Sequence, residues 1–194
     1  MTRCFLGFEF QPESLAYLRE RVEPFFEKLK GELGWDLRLI RPENWHVTLL
    51  FFQGLEASER EEVWGEVEKA ARGGVWKELA FDWKGLAVWP SPRRPSLICL
   101  EAGLYPATPG WPLPVSREPF SKGEVGHYLS YRPHATLMRL KGRSHPVIRE
   151  WKGLEGSLPE IDPGEIRFDR VSFFLSTLSR EQPVYPRESS SPLS

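Results

Sequence analysis

Cysteine and amide side chains are scarce in this chain of 194 residues. Cys4 and Cys99 are its only cysteines, too few for a disulfide framework or a tetrahedral zinc site. The two thiols favour a reducing environment, and we expect a cytoplasmic location. Asn44 is the only asparagine and glutamine occurs three times, a depletion of thermolabile amides that is typical of thermophilic proteins.

The sequence also lacks long apolar runs and a net charge of appreciable size. Glu9 interrupts the apolar N-terminal segment too early for a secretory signal, and no stretch approaches the length of a membrane-spanning helix. The formal net charge is −1, so the whole molecule does not attract a polyanion. Contact with a nucleic acid should therefore be short, such as one terminus. We expect an end-processing enzyme that works as a monomer without a membrane partner.

The composition is that of a globular protein, with 40% hydrophobic and 27% charged residues, which argues against extensive disorder. Strand-like and helix-like segments alternate without a long linker, so the pattern predicts one α+β domain over residues 1–188. The polar tail, residues 189–194, is predicted to be disordered.

Two helices are predicted from apolar residues spaced three or four positions apart. The first spans residues 12–33, and Pro24 within it predicts a kink or a break. The second spans residues 58–72, with Ser58 as N-cap and Glu61 as its capping-box partner, and Gly73-Gly74 ends it. A third, short helix is predicted at 145–153. Strands are predicted at 3–10, 36–40, 45–53, 79–88, 96–101, 134–141, 166–176 and, at an edge, 183–185.

Histidine and threonine occur together more often than their abundance explains. The four histidines are His46, His127, His134 and His145. Two of them have threonine two positions later, although only five threonines exist and about 0.1 such pairs would be expected by chance. The resulting motifs are His46-Val47-Thr48-Leu49 and His134-Ala135-Thr136-Leu137.

On a strand, residues i and i+2 point to the same face, so each imidazole should lie beside a threonine hydroxyl. Strict alternation sends Phe51 and Arg139 to the opposite face, with the apolar residues that anchor each strand. We therefore expect Arg139 to be a surface or packing residue, and Phe51 to point away from the histidines.

Two histidines and two hydroxyls suit the hydrolysis of a cyclic phosphodiester. A neutral histidine can activate water while a protonated one donates to the leaving sugar oxygen, and Thr48 and Thr136 can donate to the non-bridging oxygens. Arg132, two residues before His134, is a further phosphate-binding candidate. Neither a metal nor another cofactor is required. Metal binding is disfavoured because the motifs lie 88 positions apart and contain no cysteine or carboxylate.

The segments NWHVTLLFFQG (44–54) and RPHATLMR (132–139) resemble the two signatures of the 2H phosphoesterase superfamily. The similarity is closest to its RNA 2′,3′-cyclic phosphodiesterase branch, the 2′-5′ RNA ligase-like family. This resemblance implies an α+β fold with two antiparallel-rich sheets, outer helices, a central cleft and pseudo-twofold symmetry. It implies hydrolysis of a terminal 2′,3′-cyclic phosphate to a 2′-phosphate, with weak reverse 2′-5′ ligation. By the same resemblance, His46 would be the proton donor and His134 the proton acceptor.

Other interpretations of the same residues stay open at this point. The substrate could be a different cyclic phosphate or a 2′-5′ linkage, rather than RNA ends or nucleoside 2′,3′-cyclic phosphates. The chain could also be a non-catalytic nucleotide- or RNA-binding module with the same fold, although a binder needs no acid and base. Both histidines could simply be core residues. Trp45 and Tyr185 are candidates for stacking on a base.

Overall fold

The computed structural model describes residues 2–31, 34, 36–74, 76, 81–91, 94–104, 123–124, 133–140, 158–176 and 186–193. Within these ranges two α-helices and nine strands occur, together with 3₁₀ turns at Pro42–Asn44 and Pro163–Glu165. The helices are α1 (Pro12–Gly31) and α2 (Ala57–Arg72). The strands are β1 (Thr2–Phe10), β2 (Leu37–Leu39), β3 (His46–Leu55), β4 (Phe81–Ser91), β5 (Arg94–Leu104), β6 (Gly123–Glu124), β7 (His134–Leu140), β8 (Phe168–Leu175) and β9 (Arg187–Pro192).

All of these strands belong to one antiparallel sheet, in the order β4-β5-β7-β3-β1-β8-β9, with β2 beside β7 and β6 beside β3. The predicted α+β class is confirmed. The two sheets implied by the resemblance are continuous in the structure, because Val47 on β3 pairs with Ala135 on β7. This pair joins the two motif strands and brings both motifs to the middle of the sheet.

Helix α1 packs against the sheet through a stripe that includes Leu18, Val22 and Leu29, all fully buried. The predicted break at Pro24 is wrong, because the helix continues through it. Pro24 lies on the exposed side, where water can solvate the carbonyl group that loses its hydrogen-bond donor. In the described part of the chain, neither helix is long and apolar enough to cross a membrane.

The N-cap of helix α2 lies two residues before the predicted one. Glu56 is the N-cap and Glu59 completes the capping box, with the Glu56 N–H donating to the Glu59 carboxylate at 2.8 Å. The prediction of Ser58 and Glu61 is therefore wrong. The spacing of three is the same, but β3 ends at Leu55 and the chain enters the helix immediately. Gly74, with φ of 69°, follows the last turn as predicted.

The C-terminal segment is ordered, so the prediction of a disordered tail over 189–194 is wrong through Pro192. Strand β9 pairs with β8, and Ser191 is only 5% exposed. Ion pairs tie this strand to its neighbours, from Arg187 to Glu9 and from Arg60 to Glu188. Backbone pairing and these contacts order a segment whose composition alone gives no apolar strand pattern. The predicted helix at 145–153 and strand at 183–185 lie outside the described residues.

The hydrophobic core is one cluster of buried apolar side chains contributed by the sheet and both helices. Val47 and Ala135 belong to it and are fully buried. As the alternation predicts, the two motif strands are thus anchored by their apolar faces, which leaves the histidine faces for a site.

Candidate active site

The two motif strands border one cavity of about 240 Å³. Its lining contains His46, Thr48, His134 and Thr136. The structure therefore brings together the four residues that the sequence singled out, across 88 positions of chain. The Val47–Ala135 pair explains the convergence, because it sets the two antiparallel motif strands side by side.

Each motif strand contains one extra residue just after its threonine. On β3, Leu6 pairs with Leu50 and Gly7 with Thr48, so Leu49 has no partner on β1. On β7, Ile98 pairs with Met138 and Cys99 with Thr136, so Leu137 is the extra residue. Such a bulge reverses the alternation of the side chains that follow it.

The bulges bring two further side chains to the site. Phe51 and Arg139 line the cavity, so the expectation that both point away from the histidines is wrong. Each lies five positions after its motif histidine, and each is turned by the bulge at the third position. The identical spacing of Phe51 and Arg139 from their motif histidines could have pointed to both residues. The assumption of strict alternation instead placed them on the opposite face.

His46 is held in one orientation by its backbone and its ring neighbours. Its Nδ1 lies 2.7 Å from the Asn44 carbonyl oxygen. Because a carbonyl only accepts, Nδ1 carries the proton of that hydrogen bond. Phe5 stacks on the imidazole with ring centroids 4.7 Å apart, and Phe174 lies at 5.6 Å. In this tautomer the Nε2 atom remains for proton transfer.

Burial lowers the pKa of His46 to about 4, because desolvation disfavours the imidazolium. The positive charges of His134 and Arg139 lower this pKa further, whereas the Asn44 carbonyl and Glu9 act in the opposite direction. His46 is consequently neutral at pH 7 in the free protein.

His134 has a different environment. Its ring centroid is 4.3 Å from that of Trp89, with the planes inclined by 31°. Glu101 on β5 is its cross-strand partner. One motif histidine therefore packs against phenylalanine rings, and the other against an indole with a carboxylate nearby.

Comparison with known proteins agrees with this arrangement. Residues 15–99 match the family model described as LigT like Phosphoesterase, a span that holds the first motif. An RNA 2′,3′-cyclic phosphodiesterase of Methanothermobacter thermautotrophicus is 27% identical over 169 residues, covering 87% of this chain and 88% of the relative. One of Archaeoglobus fulgidus is 27% identical over 81 residues, or 42% of this chain and 43% of the relative.

Solved structures show that this chain shares its fold with other proteins. A Thermus thermophilus protein superposes with a TM-score of 0.58 at 17% identity, covering 98% of this chain and 97% of the other. E. coli LigT in its apo form gives a TM-score of 0.55 at 15% identity, covering 98% and 96%.

Arg139 is the functional candidate that sequence reasoning missed. Its Nε is buried and has no hydrogen-bond partner among the described residues. Its charge reaches the site, since it acts on the pKa of His46. A buried donor at a cavity wall is suited to an anion. Arg132, the predicted phosphate ligand, lies outside the described residues.

The remaining candidates divide between structural residues and undescribed ones. Trp45 is 2% exposed and its indole N–H donates to the Ile40 carbonyl at 2.8 Å, so it is a core residue and not a stacking platform. Tyr185, His127 and His145 lie outside the described residues. Within the part of the chain that the structure describes, no three His, Cys, Asp or Glu side chains are grouped to hold a metal ion.

Proposed function

We propose that this LigT-like phosphoesterase hydrolyses the 2′,3′-cyclic phosphate at RNA ends to a 2′-phosphate, by acid–base catalysis without a metal. The observation that carries the proposal is the single cavity lined by His46, His134 and both motif threonines. The names of the curated relatives, RNA 2′,3′-cyclic phosphodiesterases, support the same reaction.

The proposed step moves two protons between the histidines and the reactants. His134 takes a proton from water as the water oxygen attacks phosphorus. The bond from phosphorus to the 3′ oxygen breaks, and His46 donates a proton to that oxygen. The products are a 2′-phosphate and a 3′-hydroxyl. The protonated His134 and neutral His46 that remain exchange protons with solvent before the next turnover.

The lowered pKa of His46 suits a proton donor once substrate is bound. A group of low pKa gives up its proton readily, but it must first acquire one. The anionic cyclic phosphate supplies that change, because a negative charge near the ring favours the imidazolium. Substrate binding and charging of His46 are therefore coupled in this proposal.

Three donors can stabilise the charge that develops on the phosphoryl oxygens. Thr48 and Thr136 both line the cavity and offer hydroxyl groups. Arg139 offers a guanidinium whose buried Nε has no partner in the part of the chain that the structure describes. A guanidinium can donate two parallel hydrogen bonds to a phosphate. Arg132 remains a prediction for the same role.

The size of the cavity supports a short contact with RNA. At about 240 Å³ it is smaller than the roughly 300–1,000 Å³ of drug-sized sites, which suits a terminal phosphate and ribose. Phe51 is at its wall, with the Arg3 guanidinium 5.4 Å from its ring centroid, and can stack on a base. RNA ends and nucleoside 2′,3′-cyclic phosphates are the proposed substrates. Reversal of the same step would give weak 2′-5′ ligation.

The test is incubation with the four nucleoside 2′,3′-cyclic monophosphates in EDTA, followed by identification of the phosphate position. We expect 2′-phosphates, a bell-shaped pH profile, and a loss of about 10²- to 10⁴-fold in turnover for His46→Ala or His134→Ala. His145→Ala, a histidine outside both motifs, is the control.

Turnover at the wild-type rate in the double alanine variant would contradict the mechanism. Tight binding of a nucleoside monophosphate without any turnover would favour the alternative of a binding module. The cytoplasmic location and the monomeric state stay predictions.

A further inference from the structure

A chain of three side chains lies behind the motif histidine of β7. The indole ring of Trp89 packs on the imidazole of His134 at a centroid distance of 4.3 Å. The Trp89 Nε1–H donates to the Glu101 carboxylate at 3.2 Å. Glu101 is in turn the cross-strand partner of His134. Carboxylate, indole and imidazole are thus connected on one side of the sheet, outside both His-x-Thr motifs.

We propose that Trp89 and Glu101 are positioning residues that fix the ring of His134 and stabilise the imidazolium formed when it takes a proton from water. This inference rests on the proposed function, in which His134 is the base.

The electrostatics of the indole carry the proposal. The face of an indole ring is negative and attracts a cation that lies over it. A carboxylate that accepts from the indole N–H brings a full negative charge to the same group and increases that attraction. The ring neighbours of His46 differ, since Phe5 and Phe174 have no polar side-chain atom. The two motif histidines are therefore surrounded by differently polarised groups.

The other charged and titratable groups around His134 make this compensation useful. His46 on β3 and Arg139 on β7 line the same cavity, and both oppose a positive charge on His134 when they are charged. Glu101 on β5 is the acidic group that faces His134 from the strand beside it. Trp89 on β4 contacts both groups, since its N–H donates to Glu101 and its ring packs on His134.

Histidine ring NMR measures the effect without relying on turnover. The protein has only four histidines, so their signals can be assigned with single His→Asn variants. In Glu101→Gln and Trp89→Leu we expect the pKa of His134 to fall by about 1. Trp89→Phe should give a smaller fall, because it keeps an aromatic face and loses only the N–H. The pKa of His46 should be unchanged.

The kinetic result should follow the titration. A base of lower pKa stays unprotonated to lower pH. The acidic limb of the pH profile of kcat should therefore move to lower pH. The weaker base should reduce kcat by about 3- to 10-fold, whereas KM should be unchanged because neither residue lines the cavity wall given by the described residues.

Two surface variants on α2 are the matched controls. Glu62→Gln removes the same charge from an exposed site, and Trp64→Leu removes a half-buried indole. Neither should move the pKa of His134 or the pH profile. If Trp89→Leu fails to fold, Trp89→Phe and Glu101→Gln still decide the question.

An unchanged pKa of His134 in both Glu101→Gln and Trp89→Phe would overturn the inference, as would a uniform loss of activity with an unshifted pH profile. Failure of the proposed function is distinguishable. It would appear as a wild-type protein that does not hydrolyse cyclic nucleotides, whereas the titration would still report whether the pair stabilises the charged ring.

Discussion

At the scale of single residues, the surroundings of His46 fix the orientation of its ring and change its pKa. Its Nδ1–H is fixed by the Asn44 carbonyl, and Phe5 covers one ring face. Both contacts hold the ring. Its burial away from water has the largest effect on the pKa of His46, which it lowers to about 4. The ordinary value is 6.5, and the lowered pKa leaves His46 neutral at pH 7 in the free protein.

Binding of an anion should reverse this effect. In the free protein, ring NMR should give a pKa of about 4 for His46. With saturating inorganic phosphate or a nucleoside 2′-phosphate, the pKa should rise, because the anion favours the imidazolium. His145, outside both motifs, provides the internal reference. An ordinary pKa for His46 in the free protein, or no change with phosphate, would contradict the proposed coupling.

Arg139 should contribute mainly to anion binding. Replacement by alanine removes the guanidinium, whose Nε is buried, and should lower kcat/KM by about 10- to 100-fold. Arg139→Lys keeps the charge but loses the planar fork, so it should be intermediate. Arg72→Ala, which removes a surface arginine paired with Glu68, is the control in the same cyclic nucleotide assay. Wild-type kcat/KM in Arg139→Ala would exclude this role.

At the scale of elements, the bulges decide which side chains reach the site. A regular strand would present every second residue of each motif segment to one side. One extra residue in β3 and one in β7 reverse the faces to which the side chains after the threonine point. Histidine, threonine and the residue at the fifth position then share the cavity. Both strands contain the same kind of bulge at the same position relative to their histidine.

Gly7 on β1 leaves room for the imidazole of His46 because it has no side chain. A Cβ on Gly7 would lie 3.2 Å from the Val47 carbonyl oxygen and 3.3 Å from Cδ2 of His46. Gly7→Ala should therefore displace the imidazole and reduce kcat by about 10-fold or more, since small misplacements of catalytic groups are costly. Gly65→Ala on α2, where a Cβ meets nothing within 4 Å, should keep full turnover and gain about 0.5–1 kcal/mol of stability. Unaltered kcat in Gly7→Ala would show that the ring tolerates the contact.

At the scale of the whole molecule, the near-neutral charge predicts a short RNA footprint. With a formal net charge of −1, only local groups such as Arg139 attract phosphate. Using RNA oligonucleotides with a 2′,3′-cyclic end, kcat/KM should stop increasing after the first few nucleotides. Its logarithm should fall with log salt with a slope of about −0.7 to −1.4, as expected for one or two phosphate contacts on a single strand. A slope steeper than about −4, or a steady gain with length, would indicate an extended RNA-binding surface.

The sequence by itself determined which side chains form the candidate site and the class of the fold. His-x-Thr repeated at His46 and His134 needs only composition and the two-residue period of a strand to suggest a site with two imidazoles and two hydroxyls. The apolar spacing of α1 likewise depends on neighbours in the chain, and both features could be predicted because they are local. The N-cap of α2 was misplaced by two residues, because the end of β3 at Leu55 fixes where the helix begins.

Only the tertiary structure decided the features that depend on pairing between distant strands. The phase reversals that bring Phe51 and Arg139 to the cavity arise from unmatched residues opposite β1 and β5, which no periodicity in one strand reveals. Strand β9 is ordered by its pairing with β8 and by the contacts that Arg187 and Glu188 make with residues far along the chain. The indole behind His134 is likewise 45 positions away. Long-range register, rather than local propensity, fixes these positions.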